Sequence, residues 1–203
     1  QDLQRFVAAH ENNPHLRVQT LGTSRKGRKV ERLHVGRLDG EPAHRVLLTA
    51  RHHACESMAS YVLEGFLSAA LGDTEDGRWY QEKVEILAIP FVDKDGVQDG
   101  DQGKNRKPHD HNRDYGAESL YPSVAAIQKL VPDWSQGQLD VAFDLHCPWI
   151  RGPNNEVIYM VGKSEPRIWQ QQVAFGEILE RVQKGPLVYR AADNLPFGQA
   201  WNT

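Results

Sequence analysis

The 203-residue chain has only two cysteines, Cys55 and Cys147, which excludes a disulfide-stapled scaffold and leaves the redox compartment open. It has no surplus of charge: 24 Lys and Arg stand against 27 Asp and Glu, a formal net charge of −3. A basic surface built to grip nucleic acid or an anionic membrane is therefore not expected. No apolar run is long enough for a membrane span, and there is no repeat, low-complexity tract or Pro/Ser-rich linker. Neither HExxH nor a pair of cysteine dipeptides of the zinc-finger kind occurs. What remains is 39% hydrophobic and 8% aromatic residues, enough for one ordinary core.

Short apolar or alternating runs predict strands at Lys29–Val35, Arg45–Ala50, Lys83–Phe91, Leu139–His146 and Glu156–Val161. Three- and four-residue spacing predicts a helix over Glu56–Leu71. A second is expected over Ser123–Val131 after Pro122, and a third over Gln170–Lys184 before Gly185-Pro186. Strands alternating with helices imply an α/β fold: a mixed, largely parallel sheet with helices on both faces, in a single domain spanning 1–203. In such sheets, ligands bind beyond the C-terminal ends of strands.

Two predicted strand ends carry metal-donor residue types. Arg45–Ala50 runs into Arg51-His52-His53-Ala54-Cys55-Glu56, and a His and a carboxylate three residues apart at a strand-to-helix corner can face one point. Equally, the histidines suit a polar loop and Glu56 suits the first turn of a helix. Leu139–His146 ends in Asp144-Leu145-His146, where a third donor sits at the same edge or simply closes the strand. Two histidines and one glutamate would leave a fourth tetrahedral position open, as in catalytic zinc sites. Between these strands lies a polar loop ending Asp110-His111-Asn112-Arg113, and Arg113 beside an amide suits a carboxylate.

The ordered set Ala50-Arg51-His52-His53-Ala54-Cys55-Glu56, Asp95-Gly96, Asp110-His111-Asn112-Arg113 and Asp144-Leu145-His146 resembles the zinc metallocarboxypeptidases, the carboxypeptidase A-like family. The resemblance implies a carboxypeptidase-like α/β/α fold, one Zn2+, and hydrolysis of the C-terminal bond of a peptide or protein. It implies His53, Glu56 and His146 as metal ligands, with His52 as their neighbour and Asp110 accepting from a ligand histidine. Asn112 and Arg113 match the pair that grips the substrate carboxylate. Arg106 is the counterpart of the arginine that polarises the scissile carbonyl, and Tyr189 of the tyrosine that closes over substrate.

Three departures stand out. His111 occupies a position that is usually small or apolar, and Val92-Asp93-Lys94-Asp95-Gly96 replaces the usual Asn-Pro-Asp-Gly turn. The family's catalytic glutamate would fall beyond Thr203, so the domain is expected to be incomplete at its C-terminus. That leaves two rivals: a deacylase of N-acyl amino acids, like the desuccinylases and aspartoacylases, and a non-catalytic zinc- or peptide-binding module. The expected partner is a peptide or protein C-terminus, without nucleic acid or a membrane span. A secreted or periplasmic location is expected ahead of the cytoplasm.

Overall fold

The computed structural model describes residues 2–147 and 156–203. They fall into two compact units, Gln1–Cys147 and Pro148–Thr203.

In chain order, the first unit contains α1 (Asp2–Ala9), β1 (Leu16–Thr23), β2 (Lys29–Gly36), β3 (His44–Ala50), α2 (Met58–Leu71) and α3 (Glu75–Lys83). These are followed by β4 (Val84–Ile89), α4 (Lys94–Asp99), α5 (Pro122–Ser135) and β5 (Val141–Leu145). The strands form one sheet in the order β1-β2-β4-β3-β5. β1, β2 and β4 pair antiparallel, whereas β3 runs parallel to both β4 and β5. This is the mixed α/β sheet expected from the sequence.

The alternation of side chains across a strand builds two cores. Val84, Ile86 and Ala88 of β4 join Leu48 and Ala50 of β3 in a cluster closed by Leu63, Leu67 and Ala70 of α2. Ile89 packs on the other side with Val92 and with Tyr121, Val124 and Ile127 of the α5 region. Helices thus cover both faces, which lets the central strands be almost wholly apolar.

Several local features depart from the expected pattern. α2 begins at Met58, two residues after Glu56, so Glu56 sits in the turn before the helix. β1 was not apparent as a strand, because its alternation is blurred by Arg17, Gln19 and Thr20 on a sheet edge open to water. α3 was hidden by polar composition, yet it is well specified: the Thr74 side chain accepts from Gly77 N and Glu75 and Asp76 fill the first turn.

The second unit holds α6 (Pro166–Val182). The strand expected at Glu156–Val161 does not form: only Val161 pairs, in an isolated bridge to Leu195. Its short apolar run suits a strand, but among the described residues only Leu195 pairs with it. Among the described residues, no helix is long and apolar enough to cross a membrane.

Leu48 lies on the central strand β3 and is fully buried. Leu48→Ala is expected to cost about 2–5 kcal/mol of stability. Urea unfolding should show a lower midpoint with an unchanged slope.

Candidate metal centre

Parallel pairing of β3 with β5, in register at Ala50↔Leu145, sends the residues after both strands out of the same sheet edge. After Ala50 the chain turns at Arg51, whose φ of 60° is left-handed and uncommon for a side-chain-bearing residue. The Arg51 guanidinium holds that turn by donating to the Ala54 carbonyl and to Ser60 Oγ. Gly103 presses the neighbouring loop against it: its φ is 93°, and a Cβ there would lie 2.4 Å from Ala54 N. Cys55 N donates to the Gln102 carbonyl. The corner is therefore clamped from two sides.

This corner brings the three expected ligands together. His53, Glu56 and His146 each present a ligating atom, all within 4.8 Å of one another. Glu56 Oε1 lies 3.1 Å from His53 Nδ1, and Glu56 Oε2 lies 2.6 Å from His146 Nδ1. The Glu56 side chain has no solvent exposure, and Oε2 also accepts from Cys147 N. Burial alone would raise the Glu56 carboxyl, but hydrogen bonds from His146, His53 and Lys104 outweigh it and hold the group well below the usual carboxylate range. Burial likewise works against the charged form of His146, yet Asp144 and Glu56 push it up to about 10. A buried anion needs such compensation, and here His146, His53 and Lys104 supply it. Two imidazole nitrogens and a carboxylate oxygen are donors that suit zinc.

The remaining expected residues divide. Asp110 caps the short helical turn His111–Arg113 by accepting from Arg113 N, and its other oxygen lies 3.5 Å from His53 Nε2. The Asn112 amide lies 3.0 Å from His146 Nε2. Arg113 is exposed, and among the described residues its guanidinium has no ion-pair partner. Arg106 is engaged elsewhere: Nε and Nη2 lie 2.8 and 2.6 Å from Asp93 Oδ2, and Nη1 lies 3.1 Å from Asp101. It lines a cleft of about 580 Å³ with Arg25, Lys107, His111 and Tyr121, and none of the three candidate ligands lines that cleft. Tyr189, in the second unit, is buried, and its hydroxyl is hydrogen bonded to the Asn194 amide. Cys55 and Cys147 are both free thiols.

Sequence reasoning missed two further groups. Lys104 Nζ lies 2.9 Å from Glu56 Oε1, closer to the cluster than any described contact of Arg106. His52, taken as a mere neighbour, is 2% exposed and bridges Asp144 to Tyr115. His52, Asp144 and His146 also present ligating atoms within 4.8 Å, but both ring nitrogens of His52 are already engaged. The only signal in the sequence was the doubled histidine itself.

The sequence model of the zinc carboxypeptidase family matches residues 3–137. Cytosolic carboxypeptidase 2 of Macaca fascicularis is 30% identical over 192 residues, covering 89% of this chain and 23% of that protein. A metallo-carboxypeptidase from Burkholderia cenocepacia shares the fold, with a TM-score of 0.72 at 23% identity over 89% of this chain and 50% of that one. An aspartoacylase family protein from Mesorhizobium loti superposes less well, with a TM-score of 0.55 at 16% identity over 84% of this chain and 52% of that one. The chain thus spans about a quarter or less of the curated relatives it matches and about half of the solved structures. The expectation of a secreted or periplasmic protein is corrected by these matches, because the curated relatives are cytosolic carboxypeptidases by name. That expectation had rested on no motif.

His111, the departure from the expected motif, is buried and stacked on Tyr121 at 3.8 Å between ring centroids. Its Nδ1 has no hydrogen-bond partner. Burial lowers its pKa from 6.5 to about 4, so between those values the unfolded chain binds the extra proton. Folding stability should therefore fall as pH drops from 6.5 towards 4, by an amount of order 3 kcal/mol from this group. His111→Phe keeps the stack and should flatten that part of the stability–pH curve relative to wild type, as measured by denaturant unfolding.

Proposed function

The chain belongs to the zinc carboxypeptidase family, and we propose that it removes C-terminal residues from peptides or proteins with one zinc ion held by His53, Glu56 and His146. The observation that carries this reading is the convergence of two imidazole Nδ1 atoms on a carboxylate with no solvent exposure. Three protein donors leave a fourth tetrahedral position open, the arrangement of catalytic rather than structural sites. When bound, zinc supplies Lewis acidity for amide hydrolysis.

The chain's own residues supply orientation and recognition. Asp110 Oδ2 lies 3.5 Å from His53 Nε2, a carboxylate behind the ring that favours the orientation with Nδ1 toward Glu56. Arg113, exposed and without an ion-pair partner among the described residues, is available for a bidentate bond to the substrate's free α-carboxylate, with the Asn112 amide beside it. The oxyanion role expected of Arg106 has weaker support, since all three guanidinium nitrogens are held by Asp93 and Asp101. Lys104 stands beside Glu56 and is the better-placed cation. Tyr189, the tyrosine expected to close over substrate, is hydrogen bonded to Asn194 within the second unit. The near-balanced charge supports a peptide partner over nucleic acid.

Full-length protein should release C-terminal residues from free-acid peptides, lose that activity to a zinc chelator and regain it with added zinc. Faster turnover of N-acyl amino acids would instead favour the deacylase reading, and zinc-dependent peptide binding without turnover the binding module. Arg113→Ala should lower kcat/KM on free-acid peptides about 10- to 100-fold, as expected for losing a charged hydrogen-bonding partner. An equal loss on C-terminally amidated peptides would remove the carboxylate from that role.

A further inference from the structure

We infer that His52 and Tyr115 are positioning residues that hold Asp144 against His146 and thereby fix how His146 presents its Nδ1 to the metal. The inference rests on the reading of His53, Glu56 and His146 as zinc ligands and extends it to residues that make no contact with the ion.

The chain of contacts is continuous. Tyr115 Oη lies 2.7 Å from His52 Nε2, and His52 Nδ1 lies 2.7 Å from Asp144 Oδ1. Asp144 Oδ2 lies 2.7 Å from His146 Nε2, and the other ring nitrogen of His146 meets Glu56 Oε2. Thr49 Oγ1 donates to Asp144 Oδ1 at 2.8 Å. The rings of His52 and His146 lie 6.1 Å apart with their planes inclined by 27°.

With a metal ion in place of the proton between His146 Nδ1 and Glu56, one assignment of protons would satisfy every link from Tyr115 to His146. The Tyr115 hydroxyl donates to His52 Nε2, and His52 Nδ1–H donates to Asp144 Oδ1. The Nε2–H of His146 donates to Asp144 Oδ2, which leaves the lone pair on Nδ1, the atom turned toward Glu56 and His53. The Asn112 amide, whose nitrogen lies 3.0 Å from His146 Nε2, is turned over in this assignment so that its oxygen faces the same Nε2–H.

Fixing Asp144 matters because 37% of its side chain is open to solvent. An unrestrained carboxylate there would rotate and share its bonds with water. His52, by contrast, is buried and bonded at both nitrogens, so it pins Oδ1 and leaves Oδ2 aimed at His146. The His53 arm is built differently: Asp110 backs it directly and is itself held by the backbone N–H of Arg113.

The test is zinc affinity, measured on full-length protein by competition with a chromophoric chelator, together with the visible spectrum of the cobalt-substituted protein. His52→Ala is expected to weaken zinc binding about 10- to 100-fold and to alter the cobalt spectrum, while the metal-free protein melts as wild type does. His52→Gln, whose amide can still donate and accept, should recover part of the loss, and Tyr115→Phe should lose less than His52→Ala. Affinity and spectra indistinguishable from wild type in the His52→Ala and Tyr115→Phe variants would overturn the inference. Should His52→Ala fail to fold, Tyr115→Phe decides alone. Glu56→Gln separates the two claims. Zinc binding lost in Glu56→Gln but intact in the His52 and Tyr115 variants overturns the positioning chain only. No zinc binding by wild type, or none lost in Glu56→Gln, overturns the ligand reading and the inference with it.

Discussion

The parallel run of β4, β3 and β5 is the constraint on which the site depends. Parallel neighbours end at the same edge, so the turn after Ala50, the segment after Ile89 and His146 all emerge together. The ladder continues past the strands, since Val92 N and Asp93 N donate to the carbonyls of Ala50 and Arg51. That fixes Asp93 at the corner, where it caps α4 through Gly96 N and anchors Arg106. The two apolar cores on either face of the sheet keep these strand ends in place.

On that edge, the electrostatics follow from one desolvated carboxylate. Glu56 has lost its water, and its compensation comes from His53, His146 and Lys104 together. The two histidines are restrained from behind: His53 by Asp110, and His146 by Asp144. Such layered support is what holds a metal site to the geometry its chemistry needs. It also explains why the acidic residues at this edge do not repel one another, because an imidazole or an ammonium lies between them.

The residues closest to the proposed chemistry were legible because their spacing along the chain is short or falls at a recognisable strand end. His53 and Glu56 lie three residues apart at a corner, and Asp110, Asn112 and Arg113 share one helical turn. Partners far apart in sequence were not legible. His52 is separated from Asp144 by 92 residues and from Tyr115 by 63, and nothing local marks either contact. Arg106 was matched to a role by its place in a motif, while its bonding is decided by Asp93 and Asp101 across the loop. The apolar run Glu156–Val161 satisfied the composition of a strand, but among the described residues it finds only the single bridge from Val161 to Leu195.

The amino-acid sequence by itself was enough for the α/β class and, through the resemblance of its ordered motifs, for the zinc carboxypeptidase family, and it put forward His53, Glu56 and His146 as the expected donors. The class follows from hydrophobic period, a local property, and the family and its expected donors follow from the resemblance of short motifs at strand ends. Tertiary structure alone decided that β1 forms an antiparallel edge and that Glu56 is fully desolvated. It also decided that Lys104 rather than Arg106 faces that carboxylate, and that a buried His52 supports the far side of His146. Burial and long-range pairing are properties of the packed chain, and only the packed chain could reveal them.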